Sequence, residues 1–457
     1  MKFTKFGKAL LMGALSAGVV LSITSCVQSY SVGYLYVTGN QTAQSTGSGI
    51  ISGFKIDHNT GKLTAINGLP IASGGANPVR AVLLSGSRFL YVLNRGTNAA
   101  GNGNCTTAAP CQNANITLFA VGANGILSQQ ETFYTQGLNP FRMFSDSTGG
   151  YLFVLEHDSI GKDGINPASA SNPNPNCGLA LGGGATTCGE ITAFKIDTNT
   201  GRLSLLQNAQ VTANSTQLTY FPVPANPVDF VYAQSNFITL FGTASNSFPY
   251  TGGNSAFPYN FNSGNGQLTA NQNSIQQLGI NQGTAVVYAG SQVYVLDNEP
   301  ITVGGITSAS QILPYTLGSN GSLQPQTGGP VADDVTLSNP IYMLAESKNK
   351  WMYVANAGNN TGTSGNAASG IAGYVIDPST HQLTTLPGEP FGSGAGPQCI
   401  VEDPSNQFVY TANFNDSTVT GRLVDQSAGV LRDLTSGSSS FPLNGPASWC
   451  LVDGRTD

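Results

Sequence analysis

Apolar and polar residues alternate along this chain in short bursts separated by Gly- and Asn-rich turns, the two-residue period of β-strands. In FKIDHNTGKLT (54–64) the apolar Phe54 and Ile56 alternate with Lys55 and Asp57. Asp57 and Asn59 are turn formers that bond nearby backbone amides, Gly61 supplies the positive φ that closes the loop, and Leu63 opens a returning strand. The pattern predicts a β-hairpin. The phrase recurs as FKIDTNTGRLS (194–204) and, more loosely, as LFAVGANGIL (118–127), YNFNSGNGQL (259–268), YTLGSNGSL (315–323), YVIDPSTHQL (374–383) and RLVDQSAGVL (422–431). Seven copies of one hairpin point to a propeller.

Two further series complete the unit. Short apolar strands read YLYVTGN (34–40), FLYVLNR (89–95), YLFVLEH (151–157), FITLFGT (237–243), QVYVLDN (292–298), WMYVANA (351–357) and FVYTANF (408–414). Their third letters bring Tyr36, Tyr91, Phe153, Thr239, Tyr294, Tyr353 and Tyr410 into register, at spacings of 55, 62, 86, 55, 59 and 57 residues. Before each following strand runs a third series: NPVRAVLL (77–84), NPFRMFSD (139–146), NPVDFVYA (226–233), QGTAVVYA (282–289), NPIYMLAE (339–346), GPQCIVED (396–403) and GPASWCLV (445–452). The expected fold is therefore all-β: a seven-bladed β-propeller over 34–457 with four antiparallel strands, A to D, per blade. No A strand precedes Tyr36 and no B strand follows GPASWCLV, so the C-terminal strand is expected to close the ring inside the N-terminal blade. Radial repetition leaves only short, protected edges.

The first 26 residues follow another pattern. Lys2, Lys5 and Lys8 precede the apolar ALLMGALSAGVVLSI, which ends in Ile23-Thr24-Ser25-Cys26. This resembles the lipobox of bacterial lipoproteins and implies a signal peptide over 1–25, lipidation of Cys26 and a tether over 26–33. The alternative is ordinary secretory cleavage near Ser25. The expected location is the cell envelope, periplasmic or at the outer membrane, with the membrane as partner through the anchor. The other six cysteines suit an oxidising compartment. Fifteen pairings are open in principle. Closeness in sequence couples Cys105 with Cys111 and Cys177 with Cys188, leaving Cys399 with Cys450 on neighbouring A strands. Their spacing lacks the C-x-x-C pairs of zinc sites, so no metal is expected. Charged residues make up 9% of the chain and the net charge is −6, which argues against a nucleic-acid partner. A monomer without cofactor is expected.

In such a ring the long B–C loops and the starts of the A strands share the top face, where ligands gather. His58 and His381 fall in bottom turns, leaving His157, directly after Glu156, as the top-face histidine. Arg80 and Arg142 open two A strands, Asp229 occupies the same position in a third, and Asp297 and Glu299 end a B strand. These seven residues are expected to ring one opening. Arg80 and Arg142 suit a carboxylate or phosphate, and Glu156 or His157 an acid–base role. The competing reading is that the arginines and carboxylates pair across the mouth and hold the blades.

The LYVxN-type B strands, the YVIDPSTHQLT hairpin and A strands opening with NP or GP resemble the lactonase-like seven-bladed propellers. That group includes phosphogluconolactonases and fungal carboxymuconate cycloisomerases. The resemblance covers 34–452. Family enzymes open an A strand with Pro-Arg-His, where this chain reads Arg80, Arg142, Asp229, Ala285, Tyr342, Cys399 and Ser448. Glu156 and Glu299 stand as candidates for the family glutamate. Two functions follow: a lipid-anchored binder of a protein, glycan or small ligand through the top face, which the departures from the motif favour, or an exported hydrolase opening a sugar or acyl lactone. The seven-residue stretch 27–33 spans at most about 24 Å, so the top face is expected to point away from the membrane.

Overall fold

A computed structural model describes residues 30–454 apart from 42–47, 85, 87, 102, 104, 107, 214, 244–247, 249, 251, 272–274, 359–367 and 436. The leader and Cys26 lie outside the described residues. The fold is an all-β propeller. Pro78–Leu83, Phe89–Asn94, Asn115–Val121 and Leu127–Tyr134 form one four-stranded antiparallel sheet, ordered from the inner to the outer edge. The same order runs from Leu138–Ser145 to Leu203–Leu205, from Pro340–Ala345 to Leu383–Thr385, and from Pro397–Glu402 to Leu431–Asp433. Between the second and third of these, a ten-stranded sheet holds two such units, opened by Pro227–Ala233 and Gly283–Ala289 and joined where Gly253 pairs with Gly283. The first strand, Ser31–Asn40, pairs with Ser48–Asp57 on one side and with the C-terminal strand Ala447–Asp453 on the other, Val37 standing opposite Cys450.

Five of the B strands, among them Phe89–Asn94 and Tyr151–Asp158, are buried from end to end, because each sheet is covered on both faces by its neighbours. Their third letter has a specific use. Tyr36 Oη donates to Gly125 O at 2.8 Å, Tyr91 to Gly201 O at 2.6 Å, Tyr294 to His381 O at 3.1 Å, Tyr353 to Gly429 O at 2.7 Å and Tyr410 to Gly61 O at 2.7 Å. Each acceptor sits in the C–D turn of the next unit, so the two repeated phrases are the two halves of one latch between blades. At the other two register positions Phe153 has no hydroxyl, and the buried Thr239 Oγ1 finds no partner.

In five units the aromatic first letter of the B strand restricts the turn residue. A Cβ on Gly61 would meet the Phe408 ring at 2.4 Å, and Gly125, Gly201, Gly266 and Gly429 press likewise on Tyr34, Phe89, Tyr151 and Trp351. Where that first letter is Gln292, the turn carries His381, also with φ of 58°.

The cysteines pair as expected: Cys105 with Cys111, Cys177 with Cys188, and Cys399 with Cys450 between neighbouring inner strands.

Candidate functional site

The NP and GP openings of the inner strands build the central mouth. Asn77, Asn139, Asn226 and Asn339 adopt left-handed φ between 54° and 56°, and Gly396 has φ of 71°. Asparagine and glycine tolerate this region best. The proline follows, and then the strand bulges. The register slips between Pro78 and Arg80, Pro140 and Arg142, Pro227 and Asp229, Gly283 and Ala285, Pro340 and Tyr342, and Pro397 and Cys399. Ala447–Asp453 slips likewise, between Ala447 and Trp449. A bulge bends the strand and re-aims its side chains. Here it turns the bulged residue and its successor toward the mouth, and Val79, Arg80, Ile341, Tyr342, Ser448 and Trp449 line a cavity of about 40 Å³ together with Arg142, Gln398 and Tyr250.

Arg80 is only 3% exposed, its guanidinium 3.4 Å from the centre of the Trp449 ring and within 5.3 Å of Phe144 and Tyr342. The planar cation lies on an aromatic face, the favoured geometry. Burial pushes its pKa down to about 10, so it stays charged at neutral pH. Among the described residues it makes no ion pair. Arg142 differs: its Nε donates to Asp229 Oδ1 at 2.8 Å, while Asp229 Oδ2 accepts from Val286 N at 2.9 Å in the next inner strand.

The structure does not gather the seven predicted residues into one ring. Arg80 and Arg142 line the cavity, and Asp229 reaches it through its ion pair. Glu156 is fully buried inside its sheet, accepting from Gly137 N at 2.9 Å and Thr192 Oγ1 at 2.7 Å. Asp297 is buried the same way, accepting from Gln282 N and Gln311 Nε2. These carboxylates occupy the column held elsewhere by the buried Asn94, Asn356 and Asn413. Glu299 binds the Asn281 amides at the surface. His157, the next letter, is buried and stacked on Tyr250 with ring centres 3.9 Å apart. Its Nδ1 lies 3.0 Å from Asp158 Oδ1, out of line for a hydrogen bond.

Three further residues complete the surroundings. Arg95, in the column of His157, lies 4.6 Å from the Phe248 ring centre and donates to Cys105 O and Tyr250 Oη. Its column was readable in sequence. Tyr250 comes from a loop without a repeat signature. Glu190 stands directly opposite Glu156 on the adjacent strand. Burial and the neighbouring Glu156 hold the Glu190 carboxyl well above the usual carboxylate range, and burial raises Glu156 to about 7.

The raised values carry a stability prediction. The folded state keeps protons that the unfolded carboxyls, near 4.5, have released. Stability is therefore intact below about pH 4.5 and falls as pH rises through about 7. Glu190→Gln should flatten this fall and raise the melting temperature at pH 8; an unchanged melting profile between pH 5 and 8 would refute the buried pair as its cause.

Comparison with known proteins places the fold. The family described as Lactonase, 7-bladed beta-propeller matches residues 34–161 and 300–447. No curated protein matches the chain. A candidate 6-phosphogluconolactonase from Bacteroides uniformis superposes with a TM-score of 0.61 at 13% identity, covering 92% of this chain and 99% of its own. The periplasmic gluconolactonase of Pseudomonas aeruginosa gives 0.61 at 15% identity, covering 93% and 99%. At such identities the likeness concerns the fold. With bulged inner strands around a central mouth and the family match over more than half its length, the chain belongs to the lactonase family of β-propellers.

Proposed function

We propose that this protein is a lipid-anchored cell-envelope propeller that captures a carboxylate- or phosphate-bearing ligand at its central mouth. The observation that carries this is Arg80, a buried cation resting on Trp449 with no carboxylate paired to it among the described residues. A guanidinium so placed is oriented for an incoming anion. The neighbouring Arg142, held by Asp229, adds positive potential. A cavity of about 40 Å³ accommodates a head group only, so the rest of the ligand would lie among the top loops. We count seven blades, taking the ten-stranded sheet as two and Ala447–Asp453 as the strand that closes the ring. With Cys26 lipidated, the short tether would leave this mouth facing away from the membrane.

The mouth offers cations, hydroxyls and amides, whereas the carboxyls with raised pKa lie within a blade. Capture therefore ranks above turnover. Family membership favours the second reading, an exported lactonase. Purified protein titrated with gluconate and 6-phosphogluconate should bind at least one, and Arg80→Ala should weaken that binding roughly tenfold or more. The same protein should not open glucono-1,5-lactone or its 6-phosphate. Turnover that disappears in Arg80→Ala or Glu156→Ala would establish the lactonase instead; binding indifferent to Arg80 would reject the mouth as the site.

A further inference from the structure

Away from the mouth, a cavity of about 230 Å³ opens beneath the loop closed by Cys177–Cys188. Ile160, Lys162, Asn174, Pro175, Glu190 and Tyr220 are among the residues that line it. Glu190 is 1% exposed, yet its Oε1 meets no hydrogen-bond partner. A buried polar atom left unpaired is costly and rare in native proteins. Its neighbour Glu156 is committed to Gly137 N and Thr192 Oγ1, so the demand for a donor falls on whatever enters the cavity.

The same cavity is also lined by a donor. The Tyr220 hydroxyl oxygen accepts from Asn174 Nδ2 at 3.2 Å and Asn176 Nδ2 at 3.1 Å. With its oxygen occupied, the phenol has its own proton to give. Asn174 is itself fixed, because its Oδ1 accepts from Asn176 N at 2.9 Å. Ile160 and Pro175 add apolar surface, and the exposed Lys162 brings a cation to the rim.

We propose that this cavity is a second binding site, for a neutral sugar ring, with Glu190 accepting from ligand hydroxyls and Tyr220 donating to them. Neighbouring hydroxyls of a sugar both give and take hydrogen bonds, which matches an acceptor and a donor lining one cavity. Among the residues that line the cavity the one cation is Lys162, exposed at the rim, so an anion gains no buried counter-charge. A metal ion finds a single carboxyl with an oxygen to spare, and among the described residues no group of three or more His, Cys, Asp or Glu is placed to hold one. An organic cation would meet Lys162 at the rim. The volume suits one ring and lies below the roughly 300 Å³ at which pockets for drug-sized ligands begin.

The test is calorimetric or NMR titration of the full mature chain with D-glucose, D-galactose and N-acetylglucosamine, each alone. At least one should bind with a Kd of about 1 mM or tighter. Glu190→Leu and Tyr220→Phe, which remove the acceptor and the donor, should each weaken that binding roughly tenfold or more. Arg80→Ala should leave it unchanged, which separates this site from the mouth. The melting temperature of each variant shows whether it is folded; if Glu190→Leu fails to fold, Tyr220→Phe decides alone. Failure of all three sugars to bind at about 50 mM overturns the proposal. So does sugar binding that survives both substitutions, or a site that takes calcium or ethylammonium and no sugar.

Discussion

Removal of residues 445–457 should abolish the cooperative melting of the propeller or lower its midpoint by at least about 10 °C. The lost strand, Ala447–Asp453, pairs with Tyr34–Gly39, so its deletion exposes one edge of the N-terminal sheet along its whole length. It also removes Ala447, Trp449 and Cys450 from the cluster they share with Tyr34, Tyr36, Phe408 and Tyr410. Burying one large side chain is worth about 1.5–3 kcal/mol, and the loss of several approaches the whole stability of a typical domain, about 5–15 kcal/mol. The staple and the strand can be separated. Replacing Cys399 and Cys450 by serine keeps the strand and should cost only about 2–4 kcal/mol. Truncated protein that melted with its parent would show that the strand does not close the ring.

Much of this fold was legible because propeller units repeat their chemistry. The hairpin phrase and the apolar strands mark one place in every unit, and the NP or GP openings do so in every unit but the one that begins QGTAVVYA. What the repeats meant to each other was less visible. The Tyr column and the turn column join in hydrogen bonds between neighbouring units, as in Tyr410 with Gly61, a pairing across 349 residues that no local pattern encodes.

The site was legible where it depends on the inner strands and obscure where it depends on burial. Arg80 and Arg142 reach the mouth because the bulge after Pro78 and Pro140 turns them there. Glu156 and Asp297 look like mouth residues when read as charges. They stand in the column of Asn94, Asn356 and Asn413, and the Asn94 and Asn413 amides face the third strand of their own sheet. Asn94 Nδ2, for example, donates to Asn115 Oδ1 and Thr117 Oγ1. Glu190 opens a C strand with no motif around it. Its unpaired oxygen is a property of packing.

The aromatic press between blades gives the second large effect. Gly61→Ala should destabilise the protein by about 3–4 kcal/mol, whereas Gly68→Ala should cost only about 1–2 kcal/mol. Both residues have positive φ, 66° and 88°, so both substitutions bear the left-handed penalty of an L side chain. They differ in surroundings. The new methyl at Gly68 meets nothing within 4 Å, while at Gly61 it lands 2.4 Å from the Phe408 ring. Phe408 is buried in the core between the last and first units and cannot withdraw without opening a gap. The shift would also pull the Gly61 carbonyl from the Tyr410 hydroxyl, leaving a buried donor unpaired. A compensating Phe408→Leu should recover part of the loss in the Gly61→Ala background while being destabilising by itself, which is the sign of coupling between touching residues. Urea denaturation of the four proteins measures this directly. Equal costs at Gly61 and Gly68 would mean that the turn glycines serve backbone geometry alone, and that the aromatic first letters such as Phe408 do not select them.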